Sequence, residues 1–415
     1  MPKPKEDKFR PGIDRVLYAK AVYGEKEIQA VLKALNEGWL GAGKYTAEFE
    51  KKVAQIFGKK YGLFVNSGTS ANFFAMELAN LPPKSEVITQ ACTFPATLAP
   101  IVQKGHIPVF VDSKVGTYNI DVDKLESAIS ERTKAIFISH AVGNVNDMVK
   151  ISRLCKKYNL IFIEDACDTI GCKFNGKPTG AYSDITTTSF YAAHNITAGG
   201  GGGMVMVNDP LLHQEVKSLN DWGRSLPGTE DKDITARLAS TIGVGNIDYD
   251  AKMTYTRPTF NFKGVEMQSA FGLAQLKQLK KFNTRRSKNF KILYTFFSKY
   301  PDHFIVPEIH PAAETYLLAF PLTIHPKSLI VRKDLLTYLE SNKIQTRTLF
   351  AGNILHHPAY QNIKCRIHGT LKNADLIARN SFLIGCHHGL TDEMINYMKK
   401  VFIRFLDNLS KPKLA

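Results

Sequence analysis

The sequence predicts an α/β fold whose sheet is mainly parallel, with a smaller α+β domain after it, and two observations carry that prediction. Between residues 61 and 207 short apolar runs of strand length alternate with amphipathic stretches of helix length. After about residue 281 the alternation stops, and a strand-like run stands among helical patterns. The borders this suggests are an N-terminal arm over 1–40, a large domain over 41–280 and a small C-terminal domain over 281–415.

Seven runs read as strands: 61–65, 87–90, 109–112, 135–140, 160–165, 185–189 and 203–207. Most are rich in Val, Ile, Leu and Phe, as strands covered on both faces must be. Helices fit between them at 70–81, after a turn of small residues, at 122–130 and at 147–158. Polar residues dominate 226–248, which predicts a surface connection or a flap over an active site. Residues 261–276 fit a packed helix leading into a longer one that runs to Phe297. Beyond it come a strand-like stretch at 315–324, a helix at 333–341, a turn-containing stretch at 345–354 and a last helix at 392–409.

With 415 residues, 44% of them hydrophobic, the chain can bury more than one core. The N-terminus is charged rather than apolar, and no apolar run approaches the roughly 18 residues of a membrane span, so a cytoplasmic protein is expected. The formal charge is +16. Its densest stretch, 280–291, runs alongside Phe282, Phe290, Leu293 and Phe297 at helical spacing, which predicts a solvated helix face and no nucleic-acid groove. The six cysteines stand apart without a Cys-x-x-Cys, so neither a disulfide scaffold nor a metal site is expected.

Three segments carry candidate chemistry. Asn66-Ser-Gly-Thr-Ser-Ala-Asn72 follows a strand and opens a helix, so Gly68 and Thr69 could cradle a phosphate at the positive end of the helix dipole; an ordinary capped turn is the other reading. It lacks a Walker lysine and the GxGxxG spacing, which argues against a triphosphatase or a dinucleotide fold. Asp165 ends the strand Ile-Phe-Ile-Glu-Asp, where ligands of open α/β sheets gather; it could protonate a pyridine nitrogen or cap the next helix. Phe94, in Cys92-Thr-Phe-Pro-Ala-Thr97, could stack on a cofactor ring or belong to the core.

Taken in order, Ser-Gly-Thr-Ser-Ala-Asn, Thr-Phe-Pro-Ala-Thr, Glu-Asp-Ala-Cys-Asp, Ser189-Phe-Tyr-Ala-Ala-His194 and Ala270-Phe-Gly-Leu-Ala-Gln-Leu276 resemble the pyridoxal-phosphate-dependent sugar aminotransferase superfamily of fold type I, over about residues 18–406. That resemblance implies an aspartate aminotransferase-like large domain with a mainly parallel seven-stranded sheet. It implies pyridoxal 5'-phosphate, or its pyridoxamine form, as cofactor. Gly68, Thr69 and Ser189 would hold the phosphate, Phe94 would stack on the ring, Asp165 would pair with the ring nitrogen and Asp168 would lie near the ring hydroxyl. Asn261 would reach the phosphate of the neighbouring subunit, in a homodimer with shared sites.

Ordinary members have lysine where this chain has His194, and the histidine-bearing branch resembles the 3-dehydratases of nucleotide-linked 4-keto-6-deoxyhexoses. Imidazole cannot form the stable covalent link a lysine makes with the cofactor, so noncovalent cofactor binding is implied, with L-glutamate as amino donor and His194 as proton shuttle. The substrate implied is a GDP- or CDP-linked sugar. Some related dehydratases hold an iron-sulfur cluster through cysteines after an Asp-Trp-Gly-Arg segment. Here Asp221-Trp-Gly-Arg224 is followed by no cysteine before Cys365, and no cluster is expected. A usual Gly-Glu-Gly-Gly is replaced by Gly199 to Gly203, without its acidic residue. Arg347 is a candidate anchor for a carboxylate or diphosphate, and His140 for the sugar. His356, His357, His387 and His388 lack suitably spaced acidic or thiolate partners and are expected to be loop residues, not metal ligands. A nucleotide-sugar aminotransferase, or a non-catalytic dimer of the same fold, remain the alternatives.

Overall fold

The computed structural model describes residues 8–225, 244, 245, 247 and 249–409. All seven expected strands form: β1 (Tyr61–Val65), β2 (Glu86–Gln90), β3 (Ile107–Val111), β4 (Thr133–Ser139), β5 (Ile161–Asp165), β6 (Ile185–Ser189) and β7 (Gly203–Val207). They lie side by side in the order β1-β7-β6-β5-β4-β2-β3. β7 is antiparallel to both neighbours and the others pair in parallel. Four of the seven are buried along their whole length, which is why their sequences read as continuous runs rather than alternating ones.

The sheet has an eighth strand that the sequence did not announce. Arg366–Ile367 adds in parallel to the β3 edge. Two residues are too few to show a period. What holds them is Glu86, whose buried carboxylate takes Arg366 Nη2 at 2.6 Å and Arg132 Nη2 at 2.6 Å.

Helices cover both faces. Ser67 starts the helix Gly68–Leu78 by accepting from the Ser70 N–H at 3.1 Å, and Asp147 does the same for Met148–Lys157 through Lys150 N at 3.0 Å. Phe74, Phe110 and Phe137 are fully buried between such helices and the sheet, each contributing about 3 kcal/mol of apolar burial. The expected helix at 122–130 breaks into the 3-10 turn Val122–Lys124 and the short helix Leu125–Ala128.

A second, antiparallel sheet takes Phe304–Ile305, Phe320–Ile324, Ser381–Ile384 and Arg347–Thr348 in that order. With the helices Leu279–Phe297, Arg332–Ser341 and Asp392–Leu409 it encloses a core around Phe297, Phe320 and Phe402. Phe9 and Val16 of the N-terminal arm are buried in this core, whereas Ile354, Leu371 and Ala374 return to the core of the large sheet. The chain thus crosses the borders at 40 and 280 in both directions.

The basic stretch corrects one expectation. Lys280, Lys281, Lys288 and Lys291 are exposed, but Arg286 is 1% exposed. Residues 282, 286, 289, 293 and 297 follow one another by three or four, so Arg286 falls on the apolar stripe that faces the protein.

Candidate active site

A cavity of about 570 Å³, within the range of cofactor pockets, lies at the C-terminal ends of β4, β5 and β6, beside the first turn of Gly68–Leu78. Gly68, Thr69, Phe94, Asp165, Asp168, Ser189, His194, His140 and Arg347 all line it; Asn261 does not. Residues separated by up to 279 positions therefore meet, because parallel strands send their C-termini to one edge.

One end of the cavity suits an anion. The first turn of an 11-residue helix presents its orphan N–H groups there, with the Thr69 and Ser189 side chains on the cavity wall. Gly68 is required by contact: a Cβ would stand 2.6 Å from the Ser189 Cβ, so any side chain would push Ser189 off the helix turn.

The middle suits a flat ring with a basic nitrogen. Phe94 leaves 56% of its surface open and meets Phe350 edge-on at 6.2 Å, so it is a wall and not core. Asp165 is buried, and three donors hold its carboxylate: Asn72 Nδ2 at 2.7 Å and Thr97 Oγ1 at 2.7 Å on one oxygen, Cys167 N at 3.2 Å on the other. With three donors and no basic partner among the described residues, this carboxylate can still accept from a cationic N–H on the cavity side. Asn72 and Thr97 had no assigned role in the sequence; both are buried polar residues in the first two turns of their helices. Burial and the Asp165 carboxylate push the Cys167 thiol well above its usual range, so it is neither nucleophile nor ligand.

The third feature is a dyad. His194 Nδ1 lies 2.7 Å from Asp168 Oδ1, and no described residue hydrogen-bonds Nε2. Asp168 orients the imidazole: a carboxylate accepting from Nδ1–H leaves Nε2 as the acceptor nitrogen. Gly143 packs against this carboxylate's backbone; at φ +83° its Cβ would stand 2.7 Å from the Asp168 carbonyl oxygen.

His140 is a correction. Its side chain is fully buried, with Nε2 3.0 Å from Glu164 Oε1 and Nδ1 taking Asn146 Nδ2 at 2.9 Å, so no ring nitrogen is left for a sugar. Burial would raise the Glu164 carboxyl, but the hydrogen bond and charge of His140 lower it on balance. Arg347 is exposed, 5.0 Å over the Tyr18 ring, with Nη1 donating to Thr346 O and no carboxylate paired to it among the described residues. Asn261 is exposed, away from this cavity, and accepts from Lys263 N at 3.0 Å. The loop histidines scatter. His356 meets Asp375, His357 bonds Ala351 O, His387 bonds Leu17 O and His388 stacks on Phe282. Among the described residues no three His, Cys, Asp or Glu side chains form a metal cluster.

Anion cradle, aromatic wall, nitrogen-facing carboxylate and an anchored imidazole together fit a phosphorylated pyridine cofactor. Residues 22–402 match the DegT/DnrJ/EryC1/StrS aminotransferase family. The chain belongs to that family. It is 38% identical over 415 residues to the lipopolysaccharide biosynthesis protein RfbH of Salmonella typhimurium, covering 97% of this chain and 94% of the relative. It is 36% identical over 408 residues to a dTDP-4-dehydro-2,6-dideoxy-D-glucose 3-dehydratase of Saccharopolyspora spinosa, covering 96% and 88%. Among solved structures, a GDP-4-keto-6-deoxymannose-3-dehydratase with a trapped PLP-glutamate geminal diamine superposes with a TM-score of 0.84 at 26% identity, over 93% of this chain and 99% of that one. The fold is the fold type I arrangement of the DegT/DnrJ/EryC1/StrS aminotransferases, and the large mixed sheet with its cavity at the strand ends is its framework.

Proposed function

We propose that this chain is a pyridoxal/pyridoxamine phosphate-dependent 3-dehydratase that removes the C3 oxygen of a nucleotide-linked 4-keto-6-deoxyhexose, with L-glutamate as amino donor. The observation that carries this reading is the His194–Asp168 dyad at the place of the family lysine, with no lysine between Lys177 and Lys217 to replace it.

When bound, the cofactor would supply an amino group that condenses with the C4 ketone and an electron sink for the bond changes that follow. The first turn at Gly68 and Thr69, with Ser189, would hold its phosphate, Phe94 its ring face and Asp165 its protonated ring nitrogen. His194 would accept a proton at Nε2 and return it to the C3 hydroxyl, which leaves as water, while Asp168 keeps the imidazole in the required tautomer. Arg347 would anchor the diphosphate from the cavity wall. The overall change balances without an external reductant: the oxygen lost by the sugar matches the oxidation of glutamate to 2-oxoglutarate and ammonia. The two dehydratases named above carry dTDP- and GDP-linked sugars in their names, and the substrate here is a nucleotide-linked sugar of this kind; GDP and CDP are the first to test. A homodimer in which Asn261 reaches the partner's cofactor phosphate accounts for its exposure outside its own cavity.

The test is spectroscopic and chemical. Adding L-glutamate to the pyridoxal phosphate-loaded protein is expected to convert the cofactor to its pyridoxamine form. Adding GDP-, CDP- or dTDP-4-keto-6-deoxyhexose should then release ammonia and a sugar lighter by one oxygen. An amino sugar as product would sink the dehydratase reading in favour of transamination, and an unchanged spectrum would point to a non-catalytic member.

A further inference from the structure

We propose that Tyr18, on the N-terminal arm, is a positioning residue for the anion-binding side of the cavity: its ring carries the Arg347 guanidinium and leaves the N–H edge free for a pair of anionic oxygens, those of the substrate's diphosphate or of the amino donor's carboxylate. The inference rests on the reading of Arg347 as the anion anchor.

Tyr18 and Arg347 both line the cavity. Tyr18 is half-buried against the apolar cluster of Leu318, Leu349 and Leu383, and two of these, Leu318 and Leu383, border the cavity as well. The Arg347 Cζ stands 5.0 Å from the Tyr18 ring centroid, within the range of a cation–π contact. Nη1 donates to Thr346 O at 2.8 Å, while Nε and Nη2 make no hydrogen bond among the described residues. Stacking uses the face of a guanidinium and spares its N–H edge, which is the part that grips two oxygens at once. Without the ring beneath it, a long exposed side chain would spread over rotamers that point away from the cavity.

The arm is fastened to the Arg347 segment residue by residue, which fixes where the ring stands. Arg15 Nη2 is 2.5 Å from Glu340 Oε2, and the other oxygen of that carboxylate accepts from Thr346 N at 2.6 Å, one residue before Arg347. Val16 N donates to Lys343 O at 2.8 Å, and Val16 O accepts from Gln345 N at 2.9 Å. Leu17 O lies 3.1 Å from His387 Nε2. A Cβ on Gly385 would stand 2.4 Å from that same carbonyl oxygen, so the arm passes this turn backbone against backbone. Tyr18 N then donates to Gln345 Oε1 at 3.1 Å. Anchoring the arm for stability is the work of Phe9 and Val16, which enter the C-terminal core; Tyr18 instead borders the cavity under Arg347.

The test reads binding rather than deoxygenation. GDP, CDP and dTDP, as probes of the diphosphate, are titrated calorimetrically into the pyridoxamine phosphate-loaded protein. For the carboxylate, the L-glutamate concentration that gives half the maximal rate of conversion of the pyridoxal form is taken from absorbance. Arg347→Ala is expected to weaken one of the two probe classes roughly 10- to 150-fold. Tyr18→Leu should weaken that same class about two- to fivefold and leave the other class and the maximal conversion rate unchanged, while Tyr18→Phe, which keeps the ring, should bind like the parent. In the Arg347→Ala background, Tyr18→Leu should weaken nothing further, because the ring acts only through the guanidinium. A Leu variant that melts earlier but binds both probe classes like the parent would overturn the proposal, as would an Arg347→Ala variant that weakens neither. If the Leu variant does not fold, successively fluorinated phenylalanines at position 18 decide in its place. They keep the ring shape and drain electrons from its face, so affinity should fall as fluorine is added, and a flat series overturns the proposal. Nucleotide affinity is measured whether or not a sugar loses its oxygen, so a parent that binds these probes but yields no dideoxysugar refutes the dehydratase reading and leaves this inference standing.

Discussion

Asp165 and Asp168 leave the same strand end three residues apart, yet they are built in opposite ways. Asp165 is held wholly by the large domain: Asn72, Thr97 and the Cys167 N–H come from its own neighbours, and the carboxylate would be ordered whatever the C-terminal sheet did. Asp168 meets His194 from the large domain, but Asn195 donates both to the Asp168 carbonyl and to Tyr316 O, in the segment that leads into the C-terminal sheet. The difference teaches that, on the function proposed above, the carboxylate that would hold the cofactor ring is built within the large domain, whereas the dyad that would move the proton is also tied to the segment leading into the C-terminal sheet.

His194→Ala attacks the separation most directly and should have the largest effect. Removing the imidazole costs the general acid-base contribution, on the order of 100- to 10,000-fold in deoxygenation rate. Asp165 is untouched, so cofactor affinity should stay within about twofold by spectral titration. A large parallel loss of cofactor would join the two regions that the comparison divides.

Asp165→Asn is the converse. A charge-assisted hydrogen bond to the ring nitrogen is worth about 1.5–3 kcal/mol, so cofactor affinity should fall roughly 10- to 150-fold. Thr97→Val, which removes one of three donors and keeps the charge, should weaken the cofactor by only about two- to fivefold, less than one full neutral hydrogen bond.

The same contrast explains what the sequence disclosed. The seven strands and the rim residues Gly68, Thr69, Asp165 and Ser189 were legible because local pattern places each at a strand end or helix start, and parallel topology then gathers them. The pairing of His194 with Asp168 was not, because it depends on how two loops 26 residues apart fold against each other. Arg286 was hidden inside a lysine-rich stretch, and only the carbonyls of Leu317 and Leu318 explain its burial. His140 read as a strand-end polar residue and therefore as a ligand group; the buried Glu164 beneath it, on the adjacent strand, turned it inward. The two-residue strand at Arg366 had no signal at all, since Glu86, which holds it, lies 280 positions away.

A third carboxylate, away from the cavity, sharpens the point through stability alone. Glu50, on the helix Lys44–Phe57, has the Phe64 N–H at 2.8 Å as its one hydrogen-bond donor among the described residues, and burial pushes its carboxyl up to about 7. Asp165, with three donors, is the counterexample in the same domain. A carboxyl whose folded value lies above its unfolded value near 4.5 binds more protons in the native state, so its contribution is fully present below that value and is lost as pH rises through about 7. Glu50→Gln keeps an acceptor for Phe64 and cannot ionise. Relative to the parent, it should be about equally stable near pH 4.5 and more stable by about 3 kcal/mol at pH 8, with the difference opening between those limits. Urea denaturation of both proteins across that range reads this directly, and parallel stability curves would mean that donor number does not set the ionisation of buried carboxylates in this domain.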